Sequence, residues 1–131
     1  MKKTTKLALL FLALLLIPAA LAVAQRNKLA IIYDIGGRGD LSFNDMAAMG
    51  GDRVEKELGI KLIEIHSVTE ADYLPNLRTA AKRGDCLMIV GVGFLLTDAV
   101  QTVADELPEQ DFAIIDGFVA GKPNVLSVLY E

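Results

Sequence analysis

One stretch decides the fold: Leu-Ala-Ile-Ile-Tyr-Asp-Ile-Gly-Gly-Arg-Gly-Asp-Leu-Ser-Phe-Asn-Asp, residues 29–45. Residues 29–33 form an apolar run without alternation, which predicts a strand buried on both faces, as in a parallel sheet. A glycine-rich turn follows, and apolar residues then recur at helical spacing until Gly59, a typical helix stop. The residues at this helical spacing are Phe43, Met46, Ala47, Gly50, Val54 and Leu58. The stretch therefore predicts a strand, a turn and a helix.

Two features of the predicted helix need a local explanation. Ser42 and Asp45 have the spacing of a capping box, with Asp in place of the usual Glu or Gln, so we expect the helix to begin there. Gly50 and Gly51 fall in mid-helix, where each glycine costs about 1 kcal/mol relative to alanine. This cost indicates close packing at the pair.

The same alternation continues along the chain. Further strands are predicted at residues 60–65, 86–90, 112–115 and 125–129. Two more helical faces are formed by Tyr73, Leu77, Ala80 and Ala81, and by Leu95, Ala99, Val103 and Leu107. The segment 60–65 alternates imperfectly, so we place it nearer an edge. Strands and helices that alternate in this way predict an α/β fold, a parallel sheet flanked by helices.

The composition excludes several classes of protein. The chain has 131 residues, of which 53% are hydrophobic and 23% are charged, and this excludes a disordered protein. A net charge of −4 argues against nucleic-acid binding, which needs a surplus of Lys and Arg. A single Cys and a single His exclude a disulfide scaffold and a Cys/His zinc cluster.

Residues 1–24 differ from the rest of the chain. They contain three lysines and no acid, and residues 7–24 carry no charge. Pro18 and the small residues Ala22 and Ala24 follow the leucine-rich run, which is typical of a cleaved secretory signal peptide. The alternative is a membrane anchor, which needs about 20 apolar residues. We favour cleavage, which leaves an acidic exported domain at residues 25–131, and no Cys near the cleavage point supports lipid attachment.

The predicted strands place three loops at one edge of the sheet. In an open α/β sheet, ligands bind beyond the carboxyl ends of the strands where the strand order reverses. The loops that follow the first, third and fourth strands are residues 34–45, 91–94 and 116–117. In the first loop, Phe43 offers a flat apolar face, and Ser42 and Asn44 offer polar groups at a helix N-terminus. The alternative is that the glycines only make a turn, Phe43 anchors the core and Ser42 is a cap.

No enzyme motif survives inspection. The segment 37–42 lacks the third glycine of a dinucleotide fingerprint, and no P-loop or Gly-x-Ser-x-Gly elbow is present. A receiver domain would need an Asp where this chain has Gly91. Cys86 begins a buried strand, and His66 is interpreted as a surface or strand-end histidine. We therefore expect a protein that is not an enzyme.

Several segments in their order and spacing resemble the basic membrane protein family, substrate-binding proteins of ABC transporters that are similar to the purine nucleoside receptor lipoproteins. The segments are residues 36–45, 72–73, 91–94, 98–99, 112–116 and 123–125. The resemblance extends through essentially all of residues 28–131. It implies a type I periplasmic binding protein fold, in which two α/β lobes joined by a hinge close on a ligand.

The resemblance also implies roles for particular residues. It assigns Phe43 to stacking on a nucleoside base, and Asp34 and Asp116 to polar contacts with the nucleoside. It places Asn44, Gly93 and Phe94 nearby, and an opposing aromatic side chain in the second lobe. Since the sequence stops directly after the fifth predicted strand, we interpret the chain as an export signal and most of the first lobe of a longer protein.

The leading hypothesis is the substrate-binding component of an ABC importer for purine nucleosides or a similar small ligand. It implies a transporter permease as partner, no cofactor, no metal and no nucleic acid. The expected location is the periplasm or the outer face of the plasma membrane, with membrane association through the transporter. The alternatives are a ligand-sensing receptor module, a small exported enzyme and a non-functional truncated gene product. With half a cleft, residues 25–131 by themselves are expected to bind ligand weakly or not at all.

Overall fold

The computed structural model describes residues 26–130, in which five strands and three α-helices alternate. The strands are β1 (Lys28–Ile35), β2 (Lys61–Ser67), β3 (Cys86–Val92), β4 (Phe112–Ile115) and β5 (Val125–Val128). The helices are α1 (Phe43–Leu58), α2 (Tyr73–Lys82) and α3 (Thr97–Glu106), and 3₁₀ turns at Glu70–Asp72 and Phe94–Leu96 precede α2 and α3. The expected signal peptide, residues 1–24, lies outside the described residues.

All neighbouring strands pair in parallel, in the order β2-β1-β3-β4-β5. The predicted α/β class is therefore confirmed, and β2 lies at an edge as its imperfect alternation indicated. The chain leaves β1 toward β2 on one side and then continues with β3 on the other side. The strand order thus reverses between β1 and β3, and this point is where a sheet of this kind opens a crevice for a ligand.

One face of the sheet is covered by two helices. Leu77 of α2 and Val103 of α3 are completely buried there against Ile32 and Ile89 of the sheet. The two helices also pair with each other through Arg78 and Glu106, whose Nη2 and Oε1 atoms lie 2.5 Å apart. The side chains that face one another across this layer make up the larger part of the core.

The other face carries only α1 within the described residues. The buried residues of α1 are Asn44, Ala48 and Gly51, not the apolar positions that the spacing predicted. Met46, on the predicted apolar face, is 71% exposed. The periodicity identified the apolar side of α1, but among residues 26–130 that side is only partly covered.

Element boundaries differ from the prediction where a strand is paired on both sides. β1 extends to Ile35, so Asp34 belongs to the strand, and β3 extends to Val92. Gly91 lies inside β3, paired with Ile32. A Cβ atom at Gly91 would lie 3.0 Å from Cγ2 of Val100, so the glycine reflects packing of α3 on the sheet. No helix within residues 26–130 has the length and apolar content needed to cross a bilayer.

The starts of β1 and β3 are joined by an ion-pair network. Asp85 accepts hydrogen bonds from Nζ of Lys28 at 2.7 Å and from Nε of Arg83 at 3.1 Å. The hydrogen bond from Lys28 and the charge of Arg83 lower the pKa of Asp85 to about 2. The backbone carbonyl of Asp85 also accepts hydrogen bonds from the N–H groups of Asn27 and Lys28.

The two mid-helix glycines of α1 should respond differently to alanine. A Cβ at Gly50 meets nothing within 4 Å, so Gly50→Ala should raise the free energy of unfolding by about 0.5–1 kcal/mol through helix propensity alone. A Cβ at Gly51 would lie 2.8 Å from Cδ1 of Ile31 and 2.9 Å from Cδ1 of Leu62, so Gly51→Ala should give no gain. Urea denaturation at low protein concentration checks both variants, and equal gains would contradict the packing described for Gly51.

The low pKa of Asp85 predicts a pH dependence. Because the folded-state pKa lies below the ordinary value of 3.8, the group stabilises the fold fully above about pH 4, and this contribution is lost as the pH falls toward about 2. The stability difference between the wild type and Asp85→Asn should therefore shrink over that interval. Urea denaturation of both proteins from pH 6 to pH 2.5 measures it, and a difference that stays constant would contradict the ion pairing.

Candidate functional site

The residues predicted to bind ligand lie at the carboxyl edge of the sheet, on three neighbouring strands. Asp34 is the penultimate residue of β1, Gly93 directly follows β3, and Asp116 directly follows β4. Neighbouring strands lie about 4.8 Å apart, so the ends of β1 and β4 are separated by about 10 Å. Asp34 and Gly93 lie at the reversal point of the strand order, and Asp116 lies one strand further along.

Asp34 and Gly93 are in direct contact at this crevice. A Cβ on residue 93 would lie 2.9 Å from Oδ2 of Asp34, and Gly93 has a φ of 95°, a value that favours glycine. Its N–H donates to the carbonyl of Ile115 at 2.9 Å, which holds the start of this loop beside β4. The missing side chain at position 93 is therefore what leaves room for the Asp34 carboxylate.

Asn44 is the second neighbour of Asp34. Its side-chain Nδ2 donates to Oδ1 of Asp34 at 2.5 Å. Asn44 lies in the first turn of α1 and is buried, and its Oδ1 atom has no hydrogen-bond partner among the described residues. A buried acceptor of this kind is costly unless a donor reaches it, so the Asp34–Asn44 pair suits a polar donor group.

The loop between β1 and α1 has an unusual backbone. Gly36, Gly37, Gly39 and Leu41 all have positive φ angles, and Leu41 has a φ of 54°. The three glycines adopt such angles without steric cost, but a leucine there is strained by about 1–2 kcal/mol. The surrounding hydrogen bonds must therefore determine this conformation.

Two carboxylates supply those hydrogen bonds. Asp40 accepts from the N–H groups of Ser42, Asn44 and Asp45, and Asp45 accepts from Gly39 and Leu41. Burial alone would raise the pKa of Asp40, but these backbone donors outweigh it and lower the pKa. The predicted capping box of Ser42 and Asp45 is wrong, because the Ser42 side chain makes no capping bond and Asp40 satisfies the helix N-terminus instead.

Arg38 ties the same loop to the rest of the fold. Its Nε atom lies 2.5 Å from Oε1 of Glu64 on β2, and its Nη2 atom lies 2.7 Å from Oδ1 of Asp52 on α1. The buried Tyr33 hydroxyl donates to the same Glu64 oxygen at 2.6 Å. Burial of the Tyr33 ring, followed by its bond to Glu64, raises the pKa of Tyr33. His66 stacks on Tyr33 with ring centroids 5.0 Å apart, at the end of β2 as expected.

Exposed aromatic side chains surround the polar pair. Phe43 is 44% exposed, which does not fit the alternative of a core anchor, and Phe94 is 65% exposed in the turn after Gly93. Phe43 packs against Tyr130 with centroids 5.9 Å apart and ring planes tilted by 58°. The sequence analysis missed Tyr130. The available signal was its position just beyond β5, which places it at the same edge as the other loops.

The charge at this edge suits hydrogen-bond donors. Among the described residues, neither Asp34 nor Asp116 forms an ion pair, and Arg38 is engaged by two carboxylates. No group of three His, Cys, Asp or Glu residues within residues 26–130 is arranged to hold a metal ion. The arrangement is therefore rich in acceptors and fits an uncharged ligand that carries hydroxyl or amino groups.

Comparison with known proteins gives the same direction. The family model described as "ABC transporter substrate-binding protein PnrA-like" matches residues 27–131. The chain is 46% identical over 106 residues to an uncharacterized lipoprotein of Pyrococcus horikoshii, covering 79% of this chain and 26% of that protein. It is 33% identical over 107 residues to the ABC transporter nucleoside-binding protein BmpA of Lactococcus lactis, covering 79% of this chain and 30% of that protein.

A solved structure shares both fold and sequence. The crystal structure of an ABC transporter solute-binding protein from Aeropyrum pernix superposes with a TM-score of 0.74 at 41% identity, covering 78% of this chain and 28% of that chain. The present chain thus spans between a quarter and a third of the length of these three proteins. On this similarity of sequence and fold, the chain belongs to the Bmp family of PnrA-like ABC transporter substrate-binding proteins.

Proposed function

We propose that this chain forms one wall of the ligand cleft of an ABC importer's substrate-binding protein, and that the ligand is a purine nucleoside or a close analogue. The observation that carries the proposal is the Asp34–Asn44 pair at the reversal point of the strand order, with an exposed Phe43 beside it in the chain. The name of the Lactococcus lactis relative, a nucleoside-binding protein, supports this choice of ligand.

The residues match the chemistry of a nucleoside. The exposed ring of Phe43 offers a flat face for a purine base, and aromatic stacking contributes about 0.5–1.5 kcal/mol beyond area burial. The carboxylates of Asp34 and Asp116 accept hydrogen bonds from ribose hydroxyls or base N–H groups. Gly93 lets the ligand approach the backbone, and the exposed Phe94 extends the apolar surface. The wall binds a ligand and performs no reaction.

The wider role follows from the family. Proteins of this type deliver a ligand to a transporter permease, and we propose the same partner here. An outer-face location agrees with the expected signal peptide at residues 1–24 and with the lipoproteins among the relatives. The permease would associate the protein with the membrane.

Weak binding is the expected behaviour of this wall by itself. A ligand on Asp34 and Phe43 keeps its opposite face in water, so about half of the apolar contact of a closed cleft is missing. We expect a dissociation constant in the millimolar range for inosine or adenosine, measured by NMR titration of the chain. Nanomolar binding would contradict the one-wall account.

The titration should depend on Phe43. Phe43→Ala removes the stacking face and should weaken nucleoside binding by about 3–10-fold, while the amide signals of Gly93 and Asp116 still mark the site. Leu58→Ala is the matched control, because Leu58 is also an exposed apolar residue of α1 but lies at the opposite end of the helix. Equal binding by both variants would remove Phe43 from the site, and the absence of shifts at the carboxyl edge with 10 mM nucleoside would reject the proposed ligand.

A further inference from the structure

The face of the sheet that carries α1 has an open apolar groove. The groove has a volume of about 520 Å³ and lies between α1 and strands β1, β3 and β4. It is lined by Leu29, Ile31, Phe43, Met46, Ala47, Gly50, Gly51, Val54, Val90, Ile115 and Tyr130. Of the positions whose spacing predicted the apolar face of α1, Phe43, Met46, Ala47, Gly50 and Val54 lie here. A stripe that the sequence marks for burial therefore lines a surface that nothing within residues 26–130 covers.

Gly50 marks the same surface independently. Gly51 lacks a side chain because Ile31 and Leu62 occupy the space, whereas a Cβ at Gly50 would meet nothing within 4 Å. A mid-helix glycine is unfavourable, and no contact within the described residues accounts for Gly50. A helix that crosses α1 closely at this point would account for it, because small residues let two helix backbones approach.

The groove continues into an open sheet surface. Val90, Ala113 and Leu126 lie side by side in the register of β3, β4 and β5, on the face that carries α1. Leu126, on the edge strand, is exposed. The opposite face carries two paired helices, α2 and α3, whereas this face carries one, so the space fits one further helix beside α1.

We propose that this groove is a dimerisation surface, and that its occupant is α1 of a second copy of the chain. The knob and the groove lie on the same face: Met46 and Met49 project from α1 beside the groove that would receive them. A surface that is complementary to itself generates a two-fold symmetric dimer. The two α1 helices cross antiparallel at Gly50, which places Met46 opposite Val54 of the second copy.

Charge is complementary in this arrangement. α1 has the acidic Asp45 in its first turn and the basic Lys56 in its last turn. An antiparallel pair centred on Gly50 brings each Asp45 end close to the Lys56 end of the second copy, twice by symmetry. The helix dipoles also oppose each other favourably. A parallel arrangement would place like charges together.

The exposed apolar area is of the size that a dimer needs. Met46, Met49, Leu126 and Tyr130 are each more than half exposed, and together they offer several hundred Å² per copy. Stable interfaces bury about 800 Å² per partner, which the floor of the groove and the stems of neighbouring polar side chains complete. Asp34 and Gly93 lie in register with the opposite face, so the dimer and the proposed ligand wall are independent.

Cysteine cross-linking tests the dimer in the full chain. Cys86 is buried, so an introduced cysteine supplies the reactive thiol. Gly50→Cys places two thiols at the two-fold axis and should give a disulfide-linked dimer in most of the protein under mild oxidation. Val68→Cys is the control, because Val68 is 80% exposed at the end of β2, away from the groove. No dimer with Gly50→Cys, or equal dimer with both variants, would overturn the proposal.

Sedimentation of the chain without added cysteine gives a second readout. The wild type should sediment as a dimer at 100 µM, and Met46→Glu should shift it to the monomer, because a carboxylate would be buried in the apolar groove. Leu58→Glu, at an exposed position of α1 outside the groove lining, should leave the dimer intact. A monomeric wild type, or dissociation by both variants alike, would overturn the proposal.

Discussion

The structure depends on the fit of one carboxylate into the crevice between β1 and β3. Asp34 fits there because Gly93 has no Cβ, which would otherwise lie 2.9 Å from Oδ2, and because Asn44 donates to Oδ1 at 2.5 Å. Three segments that are distant in sequence thus meet at one side chain. The reversal of the strand order provides the space, and the glycine keeps it open.

The loop between β1 and α1 serves this contact by fixing the start of α1. Its positive φ angles make it a poor choice for an unconstrained chain, but Asp40 and Asp45 satisfy five backbone N–H groups between them. Arg38 connects it to β2 and α1. The loop therefore delivers Phe43 and Asn44 in defined positions, which a binding wall requires because a mobile loop would have to be ordered by the ligand.

Much of this arrangement could be predicted from the sequence. Uninterrupted apolar runs identify the buried strands, and the placement of 34–45, 91–94 and 116–117 at one edge follows from parallel connectivity. The capping by Ser42 was wrong, because a neighbouring carboxylate competed for the same backbone donors and local spacing does not rank competitors. The burial of the α1 stripe was also mispredicted. Periodicity shows which side of a helix is apolar but not what covers it, and Tyr130 becomes visible only when β5 is placed beside β4.

The most direct test of the central claim is the ¹H–¹⁵N signal of the Asn44 side-chain amide in Gly93→Ala. The added methyl group would displace the Asp34 carboxylate, so the Nδ2 proton signals should move upfield and exchange faster with water as their hydrogen bond is lost. Gly121→Ala is the control, because Gly121 also has a positive φ but no atom within 4 Å of its Cβ position, and it should leave the signal in place. An Asn44 signal unchanged in Gly93→Ala would contradict the account.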